Sequence, residues 1–268
     1  MRNFALENKP YDMNKTTIAT TLAASALLAV SCAPERYCVA GVQRSRIVID
    51  SRYDATPDRE AESFLAPYRA AVDSLMSPVM GTAACDMGRQ RPESPLSNLL
   101  SDILVWSSQR FGEQPDFAVY NMGGIRATIS KGDVTRGDIL DIAPFDNKIC
   151  FLTLKGSDVL ELFRQIAQVG GEGVSGSVRL VITKDGRLLS SSVGGKQIDP
   201  AASYRVTTID YLAQGNDHLE AFKKKTEFVS PKSDENNARF LIEDYFKAMK
   251  AEGKSVDAKV EGRIVIEK

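Results

Sequence analysis

A glycine turn followed by an arginine is the clearest candidate for chemistry in this sequence. Asn121 is followed by Met122, Gly123 and Gly124, and Arg126 comes two residues later. Consecutive glycines let a backbone turn sharply or approach a ligand closely. The arginine guanidinium presents a planar fork of donors that fits phosphate or carboxylate. The pattern is typical of an anion-binding turn, and a β-turn followed by a surface arginine is the alternative.

Two aromatic residues in polar loops and one carboxylate complete a candidate binding group. Phe145 follows Pro144 in a loop, and Tyr211 precedes Asp217 in a second, glycine-containing loop. Two aromatic rings can hold a purine or pyrimidine between them, and stacking contributes about 1–3 kcal/mol per base. A carboxylate can accept hydrogen bonds from the vicinal hydroxyls of a ribose. Core packing of Phe145 and a surface position of Tyr211 are the alternatives.

Residue types that would support self-contained hydrolysis are scarce. The sole histidine is His218, whereas a two-metal phosphoesterase centre generally draws several His and Asp ligands together. The sequence has no clustered acidic motif for Mg²⁺ or Ca²⁺, no P-loop, no Gly-x-Ser-x-Gly elbow and no Cys-x-x-Cys. It therefore predicts a binding domain with no catalytic residue, metal site or cofactor of its own.

Composition excludes one class of partner. The chain has 268 residues and a formal net charge of −1, and 26% of its residues are charged. That length allows one large or two small domains with an ample core. The near-neutral balance gives no polyanion-binding surface, so no nucleic-acid partner is predicted.

The N-terminus is predicted to be a targeting segment. Residues 1–31 read as a signal peptide, whose true start is either Met1 or Met13, with an uncharged stretch over residues 16–30 too short to span a membrane comfortably. Residues 28–32 resemble a bacterial lipobox, which predicts lipidation of Cys32 and a tether over residues 32–50. We expect a membrane-anchored protein of the bacterial cell envelope that faces the periplasm or the cell surface. An ordinary secretory peptide with an incidental cysteine is the alternative.

Residues 51–268 are predicted to form a single α/β domain of mixed helices and strands, because no repeat or long linker divides them. Ser94 and Pro95 suit the cap and first position of a helix on which Asn98 and Asp102 share one face. Cys150 lies in an apolar run and is predicted to be buried. Helices are predicted over residues 58–76, 95–104, 159–167 and 236–249, and strands over residues 79–83, 115–120, 148–155, 178–182, 188–193, 204–208 and 262–266.

The ordered motifs of the chain resemble the C-terminal, substrate-binding domain of the 5′-nucleotidase family, which includes UDP-sugar hydrolases. The resemblance runs from about Gly81 to Ile266 and depends on the series rather than on any one motif. The series comprises Asn98 in its apolar helix, Asn121-x-Gly-Gly-Ile-Arg126, Pro144-Phe145-x-Asn147, Lys155-Gly156, Ser175-Gly176, Asp199-Pro200-x-x-x-Tyr204, Tyr211-x-x-x-Gly215-x-Asp217 and Glu261-Gly262-Arg263-Ile264.

The resemblance implies a role for each residue of the binding group. Arg126 and Asn121, with the Gly123-Gly124 turn, would face the phosphate and the ribose. Phe145 and Tyr211 would clamp the base, and Asp217 would hold the ribose hydroxyls. Asn98 and an arginine just before its helix are further candidate substrate contacts, and Arg91 or Arg89 is the candidate arginine. The chain departs from the family pattern at Met122, at Asn216 and at Tyr211, where phenylalanine is frequent.

Complete family members also carry an N-terminal metallophosphatase domain with two metals, and about eighty residues precede the resemblance here. The leading hypothesis is the nucleotide-recognition half of a 5′-nucleotidase-like phosphohydrolase in nucleotide catabolism. A separately encoded metallophosphatase would supply the two divalent metals. The alternatives are a stand-alone nucleotide- or nucleoside-binding lipoprotein and a degenerate surface interaction domain.

Overall fold

The computed structural model describes residues 14–16, 18–20, 22–23, 38–53, 56 and 58–267. The chain separates into two units, residues 1–57 and 58–268. In the first unit, residues 38–49 lack regular secondary structure, and Ser51–Tyr53 form a 3₁₀ turn. Cys32 and the lipobox-like stretch lie outside the described residues, so lipidation stays a prediction. Within the part of the chain that the structure describes, no helix is both long and apolar enough to cross a membrane.

Six α-helices are described in the second unit, and polar caps define where several begin. Asp58 accepts hydrogen bonds from Glu60 N and Ala61 N at the start of the first. Ser94 and Ser97 form a reciprocal capping box before the second, which confirms the predicted cap. The helices are α1 (Arg59–Met76), α2 (Pro95–Ser108), α3 (Arg136–Ile142), α4 (Gly156–Gln168), α5 (Asp210–Ala213) and α6 (Ala238–Ala251).

The described strands form three sheets. They are β1 (Val79–Ala83), β2 (Phe117–Tyr120), β3 (Gly132–Thr135), β4 (Ile149–Lys155), β5 (Gly173–Val174), β6 (Val178–Ile182), β7 (Leu188–Val193), β8 (Lys196–Gln197), β9 (Ser203–Ile209), β10 (Thr226–Val229) and β11 (Ile264–Ile266). The sheet orders are β1-β3, β10-β4-β9-β2-β5 and β11-β6-β7-β8. Parallel and antiparallel pairs are mixed, which confirms the predicted α/β class.

The core lies around the five-stranded sheet. Helix α2 packs on β2 and β5, and α4 packs on β4 and β9. The rings of Phe117 and Phe163 lie 5.4 Å apart and join β2 to α4. Cys150 on β4 is fully buried, as predicted, and burial raises the pKa of its thiol, which keeps it protonated.

Helix α1 has the predicted apolar face, but the described residues do not cover it. Five of its large apolar residues are each at least 45% exposed, whereas Met76 at its end is half-buried. The helix meets the rest of the unit near its C-terminal end, where Arg136 Nη1 donates to Leu75 O at 3.4 Å and Met76 lies against Gly137. The exposed face comprises Phe64, Leu65, Tyr68, Val72 and Leu75.

The order of the central strands brings three loops to one edge of the sheet. Strands β2 and β9 are parallel neighbours, so the loops that follow them begin side by side. Strand β4 runs antiparallel to β9, and its first residue, Ile149, pairs with the last residue of β9, Ile209. The loop before β4 therefore meets the loops after β2 and β9.

Candidate functional site

A cavity of about 390 Å³ opens at this sheet edge. Seven of the nine residues predicted to contact a substrate line it, although they come from three segments far apart in the chain. Tyr211, which was predicted to lie in a loop, is on the short helix α5. The eighth lining residue, Asn147, belongs to the Phe145 motif. The lining residues are Asn121, Gly123, Gly124, Arg126, Phe145, Asn147, Tyr211 and Asp217.

The glycine turn begins where the fully buried strand β2 ends. Gly124 N donates to Asn121 O at 3.1 Å, which closes a 3₁₀ turn over Met122–Gly124. A Cβ on Gly124 would lie 2.6 Å from Asn121 Oδ1, whereas one on Gly123 would lie 3.4 Å from Asp217 Oδ2. Neither glycine has a positive φ. Glycine at position 124 is therefore required by the close approach of the Asn121 side chain.

Charged side chains hold the peptide groups of Met122 on both sides. Its N–H donates to Glu172, and its carbonyl accepts from Arg89 Nη1 at 3.0 Å. Glu172 is 1% exposed, and burial raises the pKa of its carboxyl. It pairs with Arg91 Nη2 at 2.6 Å. Neither Arg89 nor Arg91 lines the first cavity. They hold the glycine turn from the side that faces away from this cavity, Arg89 directly and Arg91 through Glu172.

Arg91 lines a second cavity of about 510 Å³, which shares Gly123 and Asp217 with the first. Its charged side chains are the guanidinium of Arg91 and the carboxylates of Glu172, Asp217 and Glu220, so acidic groups outnumber basic ones there. His218, the sole histidine, also lies in this wall and has a left-handed backbone with φ 65°. The other lining residues are Val169, Glu172, Gly215, Asn216 and Glu220.

Asp217 joins the glycine turn to the tyrosine loop. Its Oδ2 accepts from Asn121 Nδ2 at 2.8 Å, and its Oδ1 accepts from the Tyr211 hydroxyl at 2.8 Å. The hydrogen bond to Asp217 raises the pKa of the Tyr211 phenol, which keeps the hydroxyl a donor. The three side chains therefore form one connected polar wall.

Arg126 and Phe145 form the opposite part of the cavity. Arg126 N donates to Ile142 O at 3.0 Å, and Nη1 donates to Gly123 O at 3.1 Å. Its guanidinium carbon lies 5.7 Å from the centre of the Phe145 ring, within cation–π range. Among the ion pairs of the described residues none involves Arg126, so its charge is available to an anion. Phe145 is 46% exposed, which excludes the core alternative.

A second arginine, which the sequence did not single out, fastens the Phe145 loop. Arg239 on α6 donates to Ala143 O at 3.1 Å and to Pro144 O at 3.0 Å. It also pairs with Asp146 at 3.1 Å. The loop is thus anchored by its backbone while the phenylalanine ring stays free to contact a ligand.

Asn98 lies outside the group that lines the cavity. Its side chain is 1% exposed and donates to Glu93 Oε1 at 2.7 Å and to Lys259 O at 2.9 Å. Glu93 also accepts from Arg263 N at 2.8 Å. Asn98 therefore fastens the C-terminal segment onto α2 rather than contacting the cavity.

The described residues include no group of three or more His, Cys, Asp or Glu side chains placed to hold a metal ion. Within those residues, the cavity offers hydrogen-bond donors, one free cation, a carboxylate and two aromatic faces. This arrangement can bind and orient a polar aromatic ligand with an anionic group.

Comparison with known proteins matches this domain to one family model. A model described as the C-terminal domain of 5′-nucleotidase matches residues 79–224, more than half of the chain. All the residues that line the cavity fall within that match. Endonuclease YhcR of Bacillus subtilis (strain 168) is 32% identical over 176 residues, which cover 63% of this chain and 14% of that protein.

Two further relatives agree with that match. Protein UshA of Escherichia coli (strain K12) is 29% identical over 161 residues, or 59% of this chain and 28% of that protein. The crystal structure of a 5′-nucleotidase precursor from Thermus thermophilus aligns with a TM-score of 0.67 and 29% identity. The alignment covers 80% of this chain and 44% of that one. This chain therefore spans less than half the length of each of these relatives.

Proposed function

The chain belongs to the family of 5′-nucleotidase C-terminal domains, and on that premise we propose that its cavity binds a nucleotide. The protein serves as the nucleotide-recognition half of a 5′-nucleotidase-like phosphohydrolase in nucleotide catabolism. The observation that carries the proposal is the cavity of about 390 Å³, in which an unpaired arginine, two aromatic rings and a carboxylate meet.

Each part of a nucleotide has a matching group in this cavity. Phe145 and Tyr211 are 46% and 37% exposed and offer ring faces to a base. Asp217 accepts hydrogen bonds from the ribose hydroxyls, and Arg126, which forms no ion pair with the described residues, brings a positive charge to the phosphate. These assignments agree with the roles that the family resemblance implies for the same residues.

Hydrolysis needs groups that the described residues do not bring together. A metal-dependent phosphatase polarises the phosphoryl group and activates water with two metal ions. We propose that a separately encoded metallophosphatase supplies both divalent metals, while this domain holds the nucleotide in position. Binding and chemistry are then divided between two proteins.

The apolar face of α1, which the described residues leave exposed, supports the proposal of such a partner. Leu65, Tyr68, Val72 and Leu75 follow each other at three- and four-residue steps, so they form one continuous apolar stripe that suits packing on a partner surface. The N-terminal end of α3 contacts the end of α1, and the carbonyl of Ile142, the last α3 residue, bonds Arg126 N. With seven residues, α3 is about 10 Å long, so a partner on α1 lies near the cavity.

The lipid anchor predicted at Cys32 completes the proposal. It places the pair of proteins in the bacterial cell envelope, on the periplasmic side or at the cell surface. There they act on nucleotides outside the cytoplasm.

Phosphate release from AMP tests the division of labour. The full chain is assayed alone and with a metallophosphatase encoded beside its gene or copurified with it, in the presence of divalent metal. We expect turnover with the partner and none with the chain alone. Metal-dependent turnover by the chain alone would overturn the division. Binding of AMP without any effect on a phosphatase favours the stand-alone binding protein instead, and absence of binding to AMP, adenosine and UDP-sugars favours the interaction domain.

A further inference from the structure

A side-chain hydrogen bond joins Tyr211 on α5 to Asp217 in the loop that follows this helix. The Tyr211 hydroxyl donates to Asp217 Oδ1 at 2.8 Å. This bond depends on the hydroxyl alone, because a phenylalanine in the same position would keep the ring and lose the donor. The hydroxyl therefore adds a contact to the carboxylate that base stacking does not require.

The backbone of this loop passes through the left-handed region. Asp217 and His218 have φ angles of 55° and 65°, which Asp and His tolerate better than most residues with side chains. Asn216 Nδ2 donates to Tyr211 O at 2.8 Å, and Asn121 Nδ2 donates to Asp217 Oδ2 at 2.8 Å. Side-chain hydrogen bonds thus hold the carboxylate where it lies in the cavity wall.

The carboxylate keeps acceptor capacity after these bonds are made. An ionised carboxylate offers about four lone-pair positions. Tyr211 and Asn121 use one on each oxygen, which leaves one further position on each. The two remaining positions equal in number the two vicinal hydroxyls of a ribose.

We infer that the Tyr211 hydroxyl determines sugar specificity, because it fixes the Asp217 carboxylate to accept both vicinal hydroxyls of a ribonucleotide. The inference rests on the proposed nucleotide binding and goes beyond it by naming ribonucleotides, rather than 2′-deoxynucleotides, as the preferred class. Tyr211 acts on the sugar through Asp217, in addition to the contact of its ring with the base.

The test compares AMP and 2′-deoxyAMP by isothermal titration calorimetry on the full chain. The proteins are the wild type, Tyr211→Phe and a control, Tyr204→Phe. The control also loses one hydroxyl, which accepts from Asp199 N at 3.0 Å and does not line the cavity. We expect the wild type to bind AMP about tenfold more tightly than 2′-deoxyAMP, because the deoxynucleotide lacks one hydrogen bond to a charged group.

In Tyr211→Phe the affinity for AMP should fall roughly fivefold while that for 2′-deoxyAMP changes less than about twofold, because the hydroxyl contributes through ribose recognition. Tyr204→Phe should keep the wild-type ratio. The inference would be overturned if Tyr211→Phe kept the wild-type ratio of AMP affinity to 2′-deoxyAMP affinity, because both affinities were unchanged or fell equally. It would also be overturned if Tyr204→Phe changed this ratio as much as Tyr211→Phe. Both results would leave nucleotide binding intact. Failure of the wild type to bind either nucleotide would overturn the proposed function together with it.

Discussion

Replacing Gly124 by alanine tests whether the Asn121 amide is held in place by the turn. A Cβ at position 124 would lie 2.6 Å from Asn121 Oδ1, 3.2 Å from Cγ and 3.3 Å from Nδ2. The amide must therefore move, and its 2.8 Å bond to Asp217 Oδ2 is lost. Gly123→Ala is the matched control, because its Cβ meets Asp217 Oδ2 at an ordinary 3.4 Å. Neither glycine has a positive φ, so backbone strain does not separate the two variants.

The size of the effect follows from the lost hydrogen bond. A hydrogen bond to a charged group contributes about 1.5–3 kcal/mol, and Asn121 is 4% exposed, so water does not readily replace it. We expect Gly124→Ala to lower the affinity for AMP by about 10- to 100-fold. We also expect it to lower the melting temperature by roughly 3–10 °C.

Calorimetric titration with AMP and thermal unfolding measure both effects. Gly123→Ala should stay within about threefold of the wild-type affinity and within about 2 °C of its melting temperature. Equal behaviour of the two alanine variants would refute the argument, since only Gly124 lies within clashing distance of the Asn121 amide.

Three further predictions concern other parts of the domain. Asn98→Ala should lower the free energy of unfolding by about 2–4 kcal/mol in denaturant titrations, because its two side-chain hydrogen bonds are lost. The affinity for AMP should stay unchanged. Weaker AMP binding by the folded variant would contradict the placement of Asn98 outside the cavity. In an ultraviolet pH titration, the difference between wild type and Tyr211→Phe should show a phenol that ionises above its ordinary pKa of 10.0, and Asp217→Asn should lower that pKa towards 10.0. The stability that the Tyr211 hydrogen bond contributes should therefore be fully present below pH 10.0 and be lost as pH rises through the raised pKa. An unshifted phenol would argue against the bond in solution. Leu65→Glu on the exposed face of α1 should abolish phosphate release with the metallophosphatase and leave AMP binding unchanged. Ala70→Glu, on the opposite side of the helix, is the control. Equal loss of phosphate release in both variants would exclude α1 as the docking surface.

The four longest helices, α1, α2, α4 and α6, were predicted from the sequence, whereas α5 forms in a stretch predicted as a loop. Ser94 caps α2 as its sequence context indicates, because cap chemistry is local. The residues that line the cavity were found through an ordered series of motifs. Their meeting at one sheet edge depends on β2 and β9 being parallel neighbours with β4 antiparallel, and strand order is a tertiary property.

Short and exposed strands were not predictable from local pattern. Strand β5 has two residues, and all four residues of β10 are exposed. Neither strand therefore shows the alternation of buried and exposed residues that identifies a strand in a sequence. Both strands exist because a neighbouring strand offers hydrogen bonds. Strand β3 lies in a stretch that reads as a turn, and it forms by pairing with β1.

Two supporting side chains were missed for a similar reason. Glu172 lies between glycines in a stretch that reads as a loop, and a buried carboxylate there is recognisable only once Arg91 and Met122 are seen beside it. Arg239 lies on a helix remote in sequence from the Phe145 loop, and only the packing of α6 brings it to the carbonyl of Pro144. The helical spacing on α1 correctly predicts an apolar face, but periodicity does not say what covers that face.

The central claim, that this cavity binds a nucleotide, is tested most directly by calorimetry on the wild type, Arg126→Ala and Phe145→Ala. We expect wild type to bind one AMP per chain. Arg126→Ala should weaken AMP binding about 10- to 100-fold and adenosine binding far less, since phosphate is the proposed partner of the arginine. Phe145→Ala should weaken binding of both ligands by about 5- to 100-fold, since the base is the proposed partner of the ring. Unchanged binding in both variants, or no binding by the wild type, would contradict the account.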